Sequence, residues 1–80
     1  MEMPEYTKKQ GQYLAFIYNY AKINGIPPAE ADLQRYFRTT PPAVHQMVLT
    51  LEKRGFIQRE AHKARSIKVL LPPDRLPHLE

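Results

Sequence analysis

Cysteine is absent from the 80-residue chain, so neither a disulfide framework nor a thiolate metal site holds it together, and the composition suits a reducing cytoplasm. Glycine is scarce, with only 3 residues, and none of them forms a glycine-rich loop able to cradle a nucleotide phosphate. The single serine, Ser66, has no base beside it in the sequence. Asp32 falls at a predicted helix start and Asp74 in the C-terminal stretch, so no nucleophilic or acid–base constellation assembles. His45 and His62 lie outside any His-x-x-x-His or acidic cluster with ligand spacing, and no metal is expected. No apolar run approaches the roughly 20 residues that span a bilayer. The opening Met1-Glu2-Met3-Pro4-Glu5 has no basic stretch leading into an apolar one. The expectation is a non-enzyme with no cofactor, no membrane segment and no small-molecule substrate.

What the chain does have is enough apolar residue, 42% of the total, for a single core. A domain of this size buries only about 60 to 65% of the surface its unfolded chain exposes. Nearly every apolar side chain is therefore needed inside, and function belongs on the surface. The net charge of +4 is unevenly spread: residues 33–68 carry Arg35, Arg38, Lys53, Arg54, Arg59, Lys63, Arg65 and Lys68 against Glu52 and Glu60, a local charge of +6. Such a concentration is the footprint of a polyanion binder, a solvated basic face being the other outcome.

Local signals divide the chain into three helices and a hairpin. Thr7-Lys8-Lys9-Gln10 has the form of a capping box. Leu14, Ile17, Tyr18 and Ala21 follow at helical spacing, and Asn24-Gly25 supplies a left-handed stop, which predicts a helix over about 8–24. Ile26-Pro27-Pro28 forces an extended link. A short second helix then begins with Glu30 and Asp32 in its first turn, where the macrodipole favours acids, and carries Leu33, Tyr36 and Phe37. Thr40-Pro41 reads as N-cap and N1 proline of a third helix over about 41–54, with Val44, Val48 and Leu51 on one stripe and Gly55 as its stop. Two strands, 56–60 and 66–71, make a hairpin with Ile67 and Val69 inward. The expected fold class is mostly α with a small β-hairpin. Its domain spans 7–71, between an N-terminal tail at 1–6 and an irregular C-terminal tail at 72–80.

The short join between the second and third helices has the spacing of a helix-turn-helix, and the hairpin after it would be its wing. With Val44, Val48 and Leu51 buried, the opposite face of the third helix presents Pro42, Ala43, His45, Gln46, Leu49, Thr50 and Lys53. Ala43 suits a thymine methyl, Gln46 an adenine edge, and His45 can donate or accept at a base.

Several stretches in order carry a more specific signal. They are Thr7-Lys8-Lys9-Gln10 with Leu14 and Phe16-Ile17, then Asn24-Gly25-Ile26-Pro27-Pro28 and Val44-His45. Leu51-Glu52-Lys53-Arg54-Gly55-Phe56-Ile57-Gln58-Arg59 and Lys63-Ala64-Arg65-Ser66-Ile67 complete the set. Along Tyr6 to Val69 the chain resembles the N-terminal DNA-binding domain of LexA repressors, a winged helix. The resemblance implies a double-stranded DNA-binding transcriptional regulator. It places the cap and base-reading positions on Thr40, Pro42, Ala43, His45 and Gln46, and the wing contacts near His62, Lys63 and Arg65. The turn Phe37-Arg38-Thr39-Thr40 is one residue shorter than the family's and lacks its glycine, and Pro42 replaces a residue able to hydrogen-bond. LexA repressors continue into a self-cleaving domain with a serine nucleophile and a lysine base. Nothing in these 80 residues corresponds to it, and the resemblance fits a free-standing winged helix or a piece of something longer.

On this reading Thr40 holds a phosphate at the helix start, and Lys53, Arg54, Arg59, His62, Lys63 and Arg65 track the DNA backbone. Lys8 and Lys9, placed against the dipole of the first helix, are either a further phosphate contact or solvated lysines. Arg59, Lys63, Arg65 and Lys68 have a second reading, as a charged edge that resists aggregation. The first helix carries Tyr13, Leu14, Phe16, Ile17, Tyr18, Tyr20 and Ala21 around more than one face. Either the C-terminal tail or a second subunit must cover the excess, and the second option makes a homodimer. The rival function is a protein-interaction module that uses this tyrosine-rich helix or the apolar Pro42, Ala43 and Leu49 surface.

Overall fold

The computed structural model of the protein describes residues 6–80; residues 1–5 of the expected N-terminal tail lie outside the described residues. Helix α1 runs Lys8–Asn24, α2 Glu30–Phe37 and α3 Pro41–Lys53, followed by strands β1 Ile57–Gln58 and β2 Lys68–Val69 and a 3-10 turn at Pro73–Arg75. The order is the winged helix-turn-helix expected from the local signals. The capping box of α1 forms as read: Thr7 Oγ1 accepts from the Gln10 amide at 3.1 Å, and Gln10 Oε1 accepts from the Thr7 amide at 3.0 Å. Gly25, at φ 75°, closes the helix with its N–H on the Ala21 carbonyl. Thr40 caps α3 ahead of Pro41. No helix among the described residues is long and apolar enough to cross a membrane.

The hairpin is shorter than the sequence pattern predicts. Only Ile57↔Val69 and Gln58↔Lys68 pair, antiparallel. The cause is Ser66, whose Oγ accepts from the Glu60 amide at 2.8 Å and lies 3.2 and 3.1 Å from the carbonyls of Glu60 and Lys63. A side chain thus takes the backbone groups that a longer ladder would use. Ile67 still turns inward, at 3% exposure.

The core joins Tyr13, Leu14, Phe16 and Ile17 of α1 to Leu33 of α2, to Val44, Val48 and Leu51 of α3, and to Phe56, Ile57 and Ile67 of the wing. The chain's own residues cover much of α1, leaving Ile23 at its end 80% exposed. Tyr13 stacks on Phe37 with ring centroids 4.1 Å apart, Phe16 meets Tyr36 at 4.6 Å, and Leu71, Leu76 and Leu79 pack against the cluster. Residues 72–80 have no regular secondary structure outside the 3-10 turn, and their course is held by hydrogen bonds to α1 and α2. Gln12 Nε2 donates to the His78 carbonyl at 2.9 Å, Gln12 Oε1 accepts from the Glu80 amide at 2.8 Å, and Tyr36 donates its hydroxyl to the Glu80 carbonyl at 2.6 Å. Tyr6, assigned by pattern to the tail, packs edge-on against Phe56 and donates to the Arg75 carbonyl. Gly11 makes room for it, since a Cβ there would come within 2.8 Å of the Tyr6 ring.

The glycine missing from the helix-turn-helix has a structural consequence. Arg38, the residue that ends α2, adopts the left-handed conformation at φ 53°, ψ 52°, and donates its N–H to the Gln34 carbonyl. A side chain with a Cβ is strained there by about 1 kcal/mol, a strain glycine does not carry. Arg38→Gly is expected to raise stability by up to about 1 kcal/mol, read as a higher urea midpoint at unchanged slope.

A candidate nucleic-acid interface on helix 3 and the wing

Helix α3 buries one stripe and offers the other. Val44, Val48 and Leu51 are fully buried, which leaves Pro42, Ala43, His45 and Gln46 exposed along one side of the first two turns. Thr40 is exposed at the head of that face, and its Oγ1 accepts from the Ala43 amide at 3.3 Å. Pro41 and Pro42 carry no amide hydrogen and the Val44 amide donates to the Thr40 carbonyl at 3.1 Å, so the start of α3 offers an anion the Thr40 hydroxyl and the positive end of the helix dipole rather than free amides.

The cations expected on the backbone path fall into distinct environments. Lys53 is exposed at the far end of α3, and Lys68 is exposed on β2. Arg54 lies over the Phe56 ring, its guanidinium carbon 5.4 Å from the centroid. Arg59 is drawn back to Glu52, Nε to Oε1 at 3.1 Å, with 22% of its side chain exposed. At the tip of the wing His62 takes a left-handed turn with φ 67°, and the neighbouring Lys63 approaches Glu60 at 3.7 Å with both side chains largely exposed, an arrangement worth little in water. Lys8 comes within 3.9 Å of Glu80 in the same loose way, so the lysine placed against the α1 dipole has an acid beside it.

Arg65 differs from the other wing cations. Its guanidinium reaches α1 and the start of α2 while 43% of the side chain stays exposed, with Nη1 3.0 Å from Asp32 Oδ2, 3.2 Å from the Pro27 carbonyl and 3.3 Å from the Tyr20 hydroxyl. Asp32 in turn accepts from the Ala29 amide at 2.8 Å, closing the start of α2. The Ala29 amide is the main influence holding the Asp32 carboxyl below the ordinary aspartate value; burial opposes it, and Arg65 and Arg35 add to the lowering. One carboxylate thus caps the first helix of the helix-turn-helix and ties the wing to it. Arg65 serves here as a strut, and the phosphate contact expected of it has to compete with three internal partners.

A cleft of about 480 Å³ separates the start of α2 from the wing, lined by Ala29, Glu30, Arg59, His62, Lys63 and Ser66 among others. Glu30 also touches His45, with Oε2 3.1 Å from Nδ1. The reading face of α3 and the tip of the wing therefore border the same side of the molecule, joined through Glu30. Sequence reasoning missed Glu30 and the Asp32–Arg65 pair. Asp32 carried a signal, being the third residue of a helix whose cap position, Ala29, has no acceptor of its own, but its partner lies 33 residues away and no local pattern points there.

Comparison with known proteins agrees with this arrangement. A family model described as the LexA DNA binding domain matches residues 3–66. The chain is 39% identical to a LexA repressor of Thermosipho africanus (strain TCF52B) over 72 residues, covering 90% of this chain and 36% of that protein. It is 39% identical to a LexA repressor of Ruegeria sp. (strain TM1040) over 71 residues, 88% of this chain and 30% of the relative. A LexA repressor of Thermotoga neapolitana is 37% identical over 67 residues, 84% and 34% of the two chains. The chain spans about a third of the length of these relatives.

Proposed function

The chain belongs to the LexA DNA-binding domain family, and from that premise we propose that it is a double-stranded DNA-binding module of a transcriptional regulator, binding rather than catalysing. The unit at residues 7–71 lays α3 in the major groove, where Pro42, Ala43, His45 and Gln46 face the base edges. Thr40, through its hydroxyl at the positive end of the α3 dipole, holds a phosphate, and Lys53, Arg54, His62 and Lys63, with Lys68, follow the DNA backbone. Arg59 and Arg65 contribute positive potential while their side chains hold the wing. The supporting observation is one exposed α3 face, backed by the core and bordered on the same side by the wing tip. The acting compartment is the cytoplasm on this reading. On a palindromic site two copies would sit one helical turn apart, about 34 Å, as a homodimer on the DNA.

Fluorescence anisotropy with a random duplex pool and with palindromic LexA-like sites, across about 50 to 300 mM salt, tests the reading. A log–log slope of about −4 or steeper, with preference among duplexes, is expected. Lys63→Ala should make that slope shallower by about one without changing the preference. A stoichiometry of two chains per palindromic duplex marks the homodimer. No binding at about 100 μM protein, the weak limit of non-specific affinities, overturns the proposal. That result would direct attention to the tyrosine-rich α1 or the Pro42, Ala43 and Leu49 surface as a protein-docking face.

A further inference from the structure

Glu30 stands in the first turn of α2, where the helix dipole alone accounts for an acid. Its approach to α3 needs a separate explanation: His45 Nδ1 lies 3.2 Å from Oε1 and 3.1 Å from Oε2, so the imidazole sits astride the carboxylate. A carboxylate only accepts, which puts the ring proton on Nδ1. In the neutral imidazole Nε2 then keeps its lone pair, on the edge of the ring away from Glu30. No described residue takes that lone pair, and about half of the His45 side chain, 52%, is exposed.

We infer that Glu30 determines which bases His45 reads, by fixing the imidazole as the Nδ1–H tautomer and presenting Nε2 as an acceptor. The group that meets Nε2 in the major groove is then a donor, the N4 amino of cytosine or the N6 amino of adenine. The N7 and O6 of guanine and the O4 of thymine are acceptors and are disfavoured. The inference rests on the major-groove reading above. Within it Glu30 is a positioning residue, acting on the base only through His45.

Two measurements test this on the intact 80-residue chain. Long-range proton–nitrogen NMR of the free protein at neutral pH reads the tautomer without DNA. The wild type should show Nδ1 protonated and Nε2 bare, and Glu30→Ala should move the ring toward Nε2–H, with Glu30→Gln intermediate. A duplex recovered from a randomised pool with the wild-type protein, then varied to all four bases at each position, reads the consequence. At one position cytosine or adenine should be preferred over guanine by about threefold to tenfold, the worth of one net hydrogen bond. Glu30→Ala should remove that preference, and it should have no further effect on it in a His45→Ala background. A wild-type ring carrying its proton on Nε2, a preference for guanine, or a Glu30→Ala effect that persists without His45 overturns the inference alone. Failure of every duplex to bind overturns the DNA reading and this inference together, and the NMR result separates the two cases.

Discussion

Asp32→Ala is expected to lower the unfolding free energy by about 2 kcal/mol, roughly 1 for the lost helix cap and the remainder for the charged hydrogen bonds. Its carboxyl is only 10% exposed and serves the Ala29 amide, Arg35 and Arg65 at once. Asp32→Asn, which keeps an acceptor for Ala29 but loses the charge, should retain part of the difference. The two variants therefore divide capping from ion pairing in a urea titration. Acid provides a second readout. With its folded pKa held below the ordinary value, Asp32 contributes stability that is present above about pH 4, its unfolded value, and is lost as pH falls through the folded one. The acid limb of the stability curve should flatten in Asp32→Ala. Arg65→Ala should flatten it in part and should be non-additive with Asp32→Ala. Additive effects, or an unchanged acid limb, would contradict the tie between wing and α2. Lys63→Ala is the contrasting variant, since it should alter the salt dependence of DNA binding and leave stability almost unchanged.

Tyr13→Ala is expected to be more damaging, by about 3 to 5 kcal/mol. Tyr13 is 1% exposed, and its ring lies parallel to Phe37, 2° between planes. Its loss opens a cavity where α1, α2 and the tail converge. A chain of this length has a net stability of only about 4 to 12 kcal/mol, so the variant should have lost much of its cooperative thermal transition by 37 °C. Tyr13→Phe keeps the ring pair and should stay within about 1 kcal/mol of the wild type. Burial raises the Tyr13 pKa above the ordinary tyrosine value. The native state therefore disfavours the phenolate, and stability should decline as pH rises beyond about 10. That alkaline decline should weaken in Tyr13→Phe. A cooperative, wild-type-like melt of Tyr13→Ala would show that α1 is held by something other than this aromatic contact.

Most of the scaffold is legible in short-range pattern. Thr7 with Gln10, Gly25, Thr40 with Pro41, and the Val44, Val48 and Leu51 stripe act within one or two helical turns, and each appears where local chemistry puts it. The resemblance to the LexA domain pointed to Thr40, Pro42, Ala43, His45 and Gln46, and the structure leaves all five exposed. Pattern was less informative about the hairpin, because alternation along 56–60 and 66–71 does not reveal that the Ser66 hydroxyl will take the Glu60 backbone groups. It was least informative about the cations. Counting charge over 33–68 treats Lys63 and Arg65 as equals, although one has only a loose contact with Glu60 and the other is held by Asp32, Tyr20 and the Pro27 carbonyl.

The sequence by itself determined the element order, the caps, the buried stripe of α3 and the family, because all of these depend on residues a few positions apart or on an ordered set of motifs. Only the tertiary structure decided that the C-terminal residues pack over part of α1, that Arg65 braces the wing against α2, and that Glu30 holds His45. Each of those outcomes depends on side chains 15 to 68 positions apart meeting within about 3 Å. The energy of such a contact is set by burial and geometry, which no local spacing encodes.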